Sequence, residues 1–357
     1  MMWKGKKIIA GREIKTQEEL WEALDYLAKK KSEENRMDEA IHTAKEALKV
    51  AQATFPPDHN NINRSLRTLA DVYAKFGKTK EAVEFFDKVL ESSRKVYGQN
   101  SNEVAAILRD FAEVLLRSDK INEAKMLLQQ SLGIMEKTLG TEHPELVKPL
   151  VNLARIYERQ NKPHLAEPLF ERAVSINVRN FGPEHPSVAD ALDKFADFYE
   201  NKEEYKQAAM LYKRALTIRE RAYGGEDEKI IPSLNNIAAL LLLVGNERRA
   251  EAYYVRAAKI AIKNFGNEHI KVAEALDNLV SLYILQGKYH KAEPLCKQSL
   301  RIMEKVYGRN NPRLIPMLRT MAEIMRNVGK HDEEQAYALR IKHLSDRTQN
   351  QVRPKSS

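Results

Sequence analysis

FGPEHPSVADAL, residues Phe181–Leu192, packs a glycine, two prolines, a glutamate and a histidine into six residues. Such a loop reads either as a reactive site or as punctuation between helices. Its relatives decide the matter. LGTEHPELVKPL begins at Leu139 and FGNEHIKVAEAL at Phe265, and Gly98, Gly140, Gly182, Gly224, Gly266 and Gly308 are spaced 42 residues apart. A fixed period in this range is the mark of a repeat array.

Other columns keep the register. Leu24, Leu66, Leu108, Leu150, Leu192, Leu234, Leu276 and Leu318 are leucine in all eight copies. Four residues later stand Ala28, Ala70, Ala112, Ala154, Ala196, Ala238, Val280 and Ala322. A third column reads Ala40, Ala82, Ala124, Ala166, Ala208, Ala250 and Ala292, and departs only at Glu334. Within a copy, Val147, Leu150, Leu153, Ala154 and Tyr157 follow the spacing of an amphipathic helix. The turn QNKP (Gln160–Pro163) separates it from a second helix that ends near Gly182. The small columns let helices approach at the short end of the usual 8–10 Å range. A lone pair cannot bury its apolar face, so the pairs must stack.

The expected fold is therefore all-α, a right-handed α-solenoid (superhelix) of about eight helix-turn-helix repeats. Helix pairs are expected near 18–56, 60–98, 102–140, 144–182, 186–224, 228–266, 270–308 and 312–346. A basic tail (1–17) precedes them and a basic disordered tail (347–357) follows. No segment alternates convincingly with the period of a strand.

Composition narrows the function. The 357 residues are 43% hydrophobic and 31% charged, which suits a folded globular chain. No run reaches the ~18 apolar residues of a membrane span. Cys296 stands alone, which excludes an internal disulfide. Of the formal +9 charge, +4 lies in residues 1–17 and +3 in residues 347–357, leaving +2 for the repeats. A nucleic-acid binder should carry its excess on the folded face, so nucleic acid is a disfavoured partner.

Nothing reads as a catalytic site. His59, His143, His185 and His269 share a column, but equivalent residues of stacked repeats lie too far apart to ligate one zinc ion. Their expected setting is a turn in which proline starts the next helix. GKT at Gly77–Thr79 lacks the glycine of a phosphate loop, since Val72 stands there. Cys296 takes the place of Phe170 and Tyr212 in a packing column and reads as a core residue. No catalytic residue, cofactor or metal is expected.

The register, the HP turn and the phrase GKYHKAEPLCKQSLRIMEKVYG (Gly287–Gly308) resemble the tetratricopeptide repeat family, in its 42-residue kinesin-light-chain-like and nephrocystin-like form. The resemblance covers about nine-tenths of the chain. Kinesin light chains carry a long coiled coil before their repeats, and only about 17 residues precede the first repeat helix here, so a motor subunit is not expected.

The resemblance implies a non-catalytic adaptor or scaffold, with the first helix of each pair lining a concave groove that binds an extended peptide or partner protein. The lone cysteine favours a reducing compartment, and cytoplasmic placement is expected. The alternative is an organelle (mitochondrial) assembly factor, if the basic N-terminus is a presequence. In such domains asparagine one residue before the Leu-Ala pair hydrogen-bonds the ligand backbone; Asn152, Asn236 and Asn278 match. The same helical faces carry Arg67, Arg109, Lys148 and Arg155, with Arg64, Lys75, Arg117 and Arg159 nearby. An acidic zone (Asp190, Asp193, Asp197, Glu200) and an apolar zone (Leu242, Leu243, Ile284, Leu285) follow. The implied ligand is a segment with acidic residues and an apolar anchor, with no membrane.

Overall fold

The computed structural model describes residues 7–9 and 12–352, and side chains from 14 to 346. A two-stranded antiparallel hairpin opens it, β1 (Lys7–Ile9) against β2 (Arg12–Ile14), with Ile9 opposite Arg12. Sixteen α-helices follow in eight pairs. The pairs are α1 (Gln17–Glu33) with α2 (Met37–Thr54), α3 (Asn60–Lys75) with α4 (Thr79–Tyr97), α5 (Asn102–Arg117) with α6 (Ile121–Leu139), and α7 (Val147–Arg159) with α8 (Pro163–Phe181). Then come α9 (Pro186–Asn201) with α10 (Tyr205–Tyr223), α11 (Ile231–Leu243) with α12 (Glu247–Phe265), α13 (Ile270–Leu285) with α14 (Tyr289–Tyr307), and α15 (Ile315–Asn327) with α16 (His331–Val352).

The hairpin departs from the tail expected over residues 1–17. Three-residue strands are too short to register as an alternating pattern. The chain is held there because Ile14 is buried in a cluster with Leu20, Trp21, Leu24, Ala47 and Ala51. Thr16 then caps α1, accepting from the Glu19 amide while Glu19 reaches back to the Thr16 amide. At the other end α16 runs through Val352, into the stretch expected to be a disordered tail. Residues 353–357 lie outside the described residues, as do residues 1–6, 10 and 11 of the candidate presequence.

The chain forms two compact units, Met1–Asn180 and Phe181–Ser357, divided at the end of α8, just before the FGPEHP turn. Each is built the same way. In the first, Ala28, Ala70 and Ala112 of the first helices and Ala40, Ala82 and Ala124 of the second are fully buried in one core with Phe86, Phe111 and Leu128. In the second, Ala208, Ala250, Ala292, Leu276 and Leu318 repeat the arrangement. Methyl side chains at these crossings leave room for the larger neighbours to interdigitate.

The turns explain the FGPEHP motif more fully than proline does. The residue preceding each first helix accepts a hydrogen bond from a backbone amide two or three residues on: His59, Ser101, His143, His185, Asp227, His269 and Asn311. For the histidines the acceptor is Nδ1, at 3.2–3.3 Å. Only three of these seven are followed by proline, at Pro144, Pro186 and Pro312. The common element is an acceptor side chain that satisfies an otherwise orphaned amide. Phe55, Phe181 and Phe265 stack on their histidines at 4.6–4.9 Å and hold the rings in place. A short 3-10 turn intervenes at Pro144–Leu146 and, in two further copies, at Glu228–Ile230 and Pro312–Leu314. The prolines Pro232 and Pro316 that follow have no amide to give the first carbonyl of the latter two turns, so the preceding residue bonds it instead.

Candidate binding face of the first helices

Each first helix buries its leucine and alanine columns and leaves a stripe open at spacings of 3, 4, 7 and 11 residues. On α3 the stripe runs through Arg64, Arg67, Asp71 and Lys75, with Thr68 buried between them; on α7 it is Lys148, Val151, Asn152, Arg155 and Arg159. Every residue expected to contact a ligand lies on this stripe.

In the first unit the cations of the stripe are matched from neighbouring repeats. Asp25, wholly buried, accepts from Lys29 (2.8 Å), Arg64 (3.1 Å) and Thr68 (2.7 Å). Arg64 also lies over the Trp21 ring at 5.2 Å. Asp110 takes both Arg67 and Arg109. Glu113 takes Lys148 at 2.6 Å and the Asn152 amide at 3.4 Å. Lys75 donates to the Ser32 carbonyl, and Arg155 also has a partner within the chain. Of the expected contact residues here, then, Arg67, Arg109, Lys148, Asn152 and Arg155 serve first as ties between or within repeats. Arg117 and Arg159 are exposed and have no ion-pair partner among the described residues. Asp71 faces water but is crowded by protein; desolvation pushes its carboxyl up to about 6 against the pull of Arg67.

The second unit reverses the pattern. Asp190 and Asp193 both receive Arg219 of α10 at 2.6 Å. Arg219 is 7% exposed and Asp193 5%; Ser233 is a third acceptor for the same guanidinium. Burial outweighs the arginine and pushes the Asp193 carboxyl up to about 6. The Tyr212 hydroxyl lies 2.7 Å from Asp197 and 3.0 Å from Glu200, and desolvation raises both the phenol and Glu200 above their ordinary values. Asp277 accepts from buried Ser299 at 2.5 Å and is likewise pushed up to about 6 by burial.

Beside these carboxylates Asn236 and Asn278 are half-buried and have no hydrogen-bond partner among the described residues. The buried carbonyl oxygen of Asn235 also lacks one. At the ends of the same helices Leu243 is 56% and Leu285 64% exposed, whereas Leu242 and Ile284 are half-buried against the core. Arg219 was missed in the sequence because it belongs to a second helix. The available signal was its column, where Ala51, Met135, Ala261 and Met303 are apolar.

Cys296 is fully buried, its sulfur 3.2 Å from that of Met317. Burial pushes the thiol up to about 12, so it stays protonated at neutral pH and is not a nucleophile. No three His, Cys, Asp or Glu side chains converge on a metal position among the described residues. No helix among them is long and apolar enough to cross a membrane.

Comparison with known proteins agrees with this architecture. The sequence profile described as tetratricopeptide repeat matches residues 23–95, 103–177, 150–221, 187–263, 229–293 and 271–341. No curated protein matches the chain in sequence. Among solved structures, the kinesin light chain nearly identical TPR-like repeats of Podosopora anserina are 24% identical, with TM-score 0.51, over 59% of this chain and 99% of that one. BtubC (BKLC) from P. vanneervenii is 20% identical, with TM-score 0.56, over 67% of this chain and 94% of that one. A signal transduction ATPase with a tetratricopeptide repeat sensor, from Pyrococcus horikoshii, is 14% identical with TM-score 0.55; the match spans 94% of this chain and 49% of that protein. At these identities the likeness is one of fold. With the profile covering most of its length and the capped helix pairs in register, the chain belongs to the tetratricopeptide repeat family.

Proposed function

We propose that the protein is a non-catalytic interaction scaffold that binds an extended segment of a partner protein along the open stripe of its first helices. Tetratricopeptide repeat proteins generally mediate protein–protein interactions. The observation that carries the reading here is the pair of unpartnered amides, Asn236 and Asn278, at equivalent positions of successive repeats beside exposed Leu243 and Leu285. An amide both donates and accepts, as a peptide backbone requires. The leucines offer apolar surface for a side-chain anchor. Acidic residues of the ligand would meet Arg117 and Arg159, exposed arginines of the first unit's stripe with no ion pair among the described residues.

The double variant Asn236→Glu/Asn278→Glu tests this. It should retain its helical circular dichroism, since both positions face solvent. Quantitative affinity capture followed by mass spectrometry should lose partners that the wild-type chain retains. An identical partner set at equal recovery would refute the assignment of the stripe.

A further inference from the structure

A cavity of about 400 Å³ lies between α3, α4 and α5 in the first unit. That places it at the low end of small-ligand sites. Its wall includes Asn63 and Ser93, which are 4% and 1% exposed. Neither the nitrogen nor the oxygen of the Asn63 amide has a hydrogen-bond partner, and neither does the Ser93 hydroxyl. Gln160 and Asp193 each leave one buried oxygen unmatched but keep another bond, Gln160 to Asn122 and Asp193 to Arg219, while in Asn235 and Gln286 only the amide oxygen is buried without a partner. Asn63 alone, among the described residues, leaves both ends of its amide unmatched in the interior.

The repeat supplies an internal comparison. The equivalents of Asn63 are Trp21, Ala105, Val147, Ala189, Ile231, Ala273 and Ile315, all apolar. Packing at this position calls for an apolar side chain, and an amide departs from it in one copy only. A buried polar group normally finds a partner, so the partner is to be sought outside the chain.

We propose that this cavity binds the carboxamide side chain of a glutamine or asparagine in a bound peptide. The chemistry of the wall selects that group. Asn63 presents one donor and one acceptor side by side, and a second carboxamide answers both at once. A carboxylate would satisfy the nitrogen and face the Asn63 oxygen with a like partial charge, beside the Glu103 carboxylate at the wall. Arg64 and Arg67 line the cavity too, but Asp25 and Asp110 already match them, so no spare cation remains to recognise an anion. Because those arginines belong also to the open stripe, the proposal rests on a peptide lying along it.

The test uses the whole chain and three soluble probes: the N-acetyl, N-methylamide derivatives of glutamine, glutamate and methionine. Saturation-transfer NMR should detect the glutamine probe with an affinity about tenfold or more above the other two, as a site that hydrogen-bonds its ligand rejects analogues lacking the partner atoms. Asn63→Leu should abolish the preference and Ser93→Ala should weaken it; if the leucine variant fails to fold, the alanine variant decides. Equal signals from the three probes, no signal from any, or a preference indifferent to both substitutions would overturn the proposal. Asn236→Glu/Asn278→Glu should leave probe binding intact, and its loss there would likewise overturn it. Probe binding together with partner capture that ignores the two asparagines would refute the stripe reading instead, leaving the cavity standing.

Discussion

Arg219 is the most exacting test of how the second unit is held together. Its guanidinium is nearly sealed from water and binds Asp193, which is equally sealed. One oxygen of Asp193 already lacks a hydrogen bond. Arg219→Met would remove the cation and leave a buried carboxylate with no opposite charge in contact. Breaking one side of such a pair costs about 3–5 kcal/mol. The bond to Asp190 adds little to this figure, because Asp190 is solvent-exposed. The loss depends on pH in a defined direction. Asp193 already sits at about 6 in the folded chain, above its ordinary 3.8. A carboxyl raised on folding favours the folded state below its unfolded pKa and loses that advantage as pH rises through the folded value. Removing Arg219 raises it further, so the variant should be weakest near pH 7–8 and recover toward pH 4–5, where protonation relieves the charge.

Hydrogen-exchange mass spectrometry of α9, α10 and α11 reads this locally and does not require the whole array to unfold in one step. At pH 7.5 the stated cost corresponds to exchange about two to four orders of magnitude faster in those helices. The double variant Arg219→Met/Asp193→Val removes both charges and uses the residues found at the equivalent positions Met135 and Val151. It should restore most of the protection, since apolar pairs replace buried ion pairs at little or no cost. A single variant that loses less than about 1 kcal/mol at pH 7.5 would refute the reasoning, as would a double variant no better than the single.

Two further outcomes follow from local strain and burial. Glu203 adopts φ of 60° in the turn between α9 and α10, where Gly77, Gly245, Gly287 and Gly329 stand in four other copies. Glu203→Gly should therefore raise stability by about 0.5–1 kcal/mol, the left-handed strain relieved less the glycine entropy; a lower melting temperature would contradict this. Asp277 is pushed up to about 6 by burial while Ser299 donates to it. Asp277→Asn keeps an acceptor for Ser299 without a charge, so it should stabilise by about 1 kcal/mol at pH 8, after discounting for partial exposure, and by little at pH 4.5. Melting curves at the two pH values check it, and a variant less stable than wild type at pH 8 would exclude it.

Much of the fold was legible because the repeat states each packing requirement eight times. The helices α3 and α4 span Asn60–Lys75 and Thr79–Tyr97, and the alanine columns are buried at the crossings. The hairpin was not legible, because strands of three residues carry no period. The capping of the first helices was half legible: proline was visible, while the shared acceptor chemistry of His59, Ser101, Asp227 and Asn311 is apparent only once the amides are located. The stripe was placed by the resemblance to tetratricopeptide repeats, carried along each first helix by helical spacing. What spacing could not give is the mating of charges across repeats. Arg67 and Asp110, or Lys148 and Glu113, stand in different copies, and only the stacking brings them together. The basic zone read from the sequence thus turns out to be largely spent on holding neighbouring helices.

That outcome gives a way to separate architecture from recognition in a repeat chain. Each position has seven equivalents, so a residue that breaks its column has to be accounted for by something else in the molecule. Arg219 breaks a column of mostly small and apolar residues and is accounted for by Asp190, Asp193 and Ser233. Asp25 is wholly buried and is accounted for by Lys29, Arg64 and Thr68. Asn63 breaks an apolar column with no internal account, and Asn236 and Asn278 hold amides open where Asn152, in the same column, is tied to Glu113. Polar groups left over after the internal pairing is complete are those whose hydrogen-bonding capacity stays available to a ligand. In this chain the leftover amides of Asn63, Asn236 and Asn278 fall on the first helices α3, α11 and α13, not on the glycine-proline turn. The turn sets where each helix begins, and the leftover amides are where we propose that a partner binds.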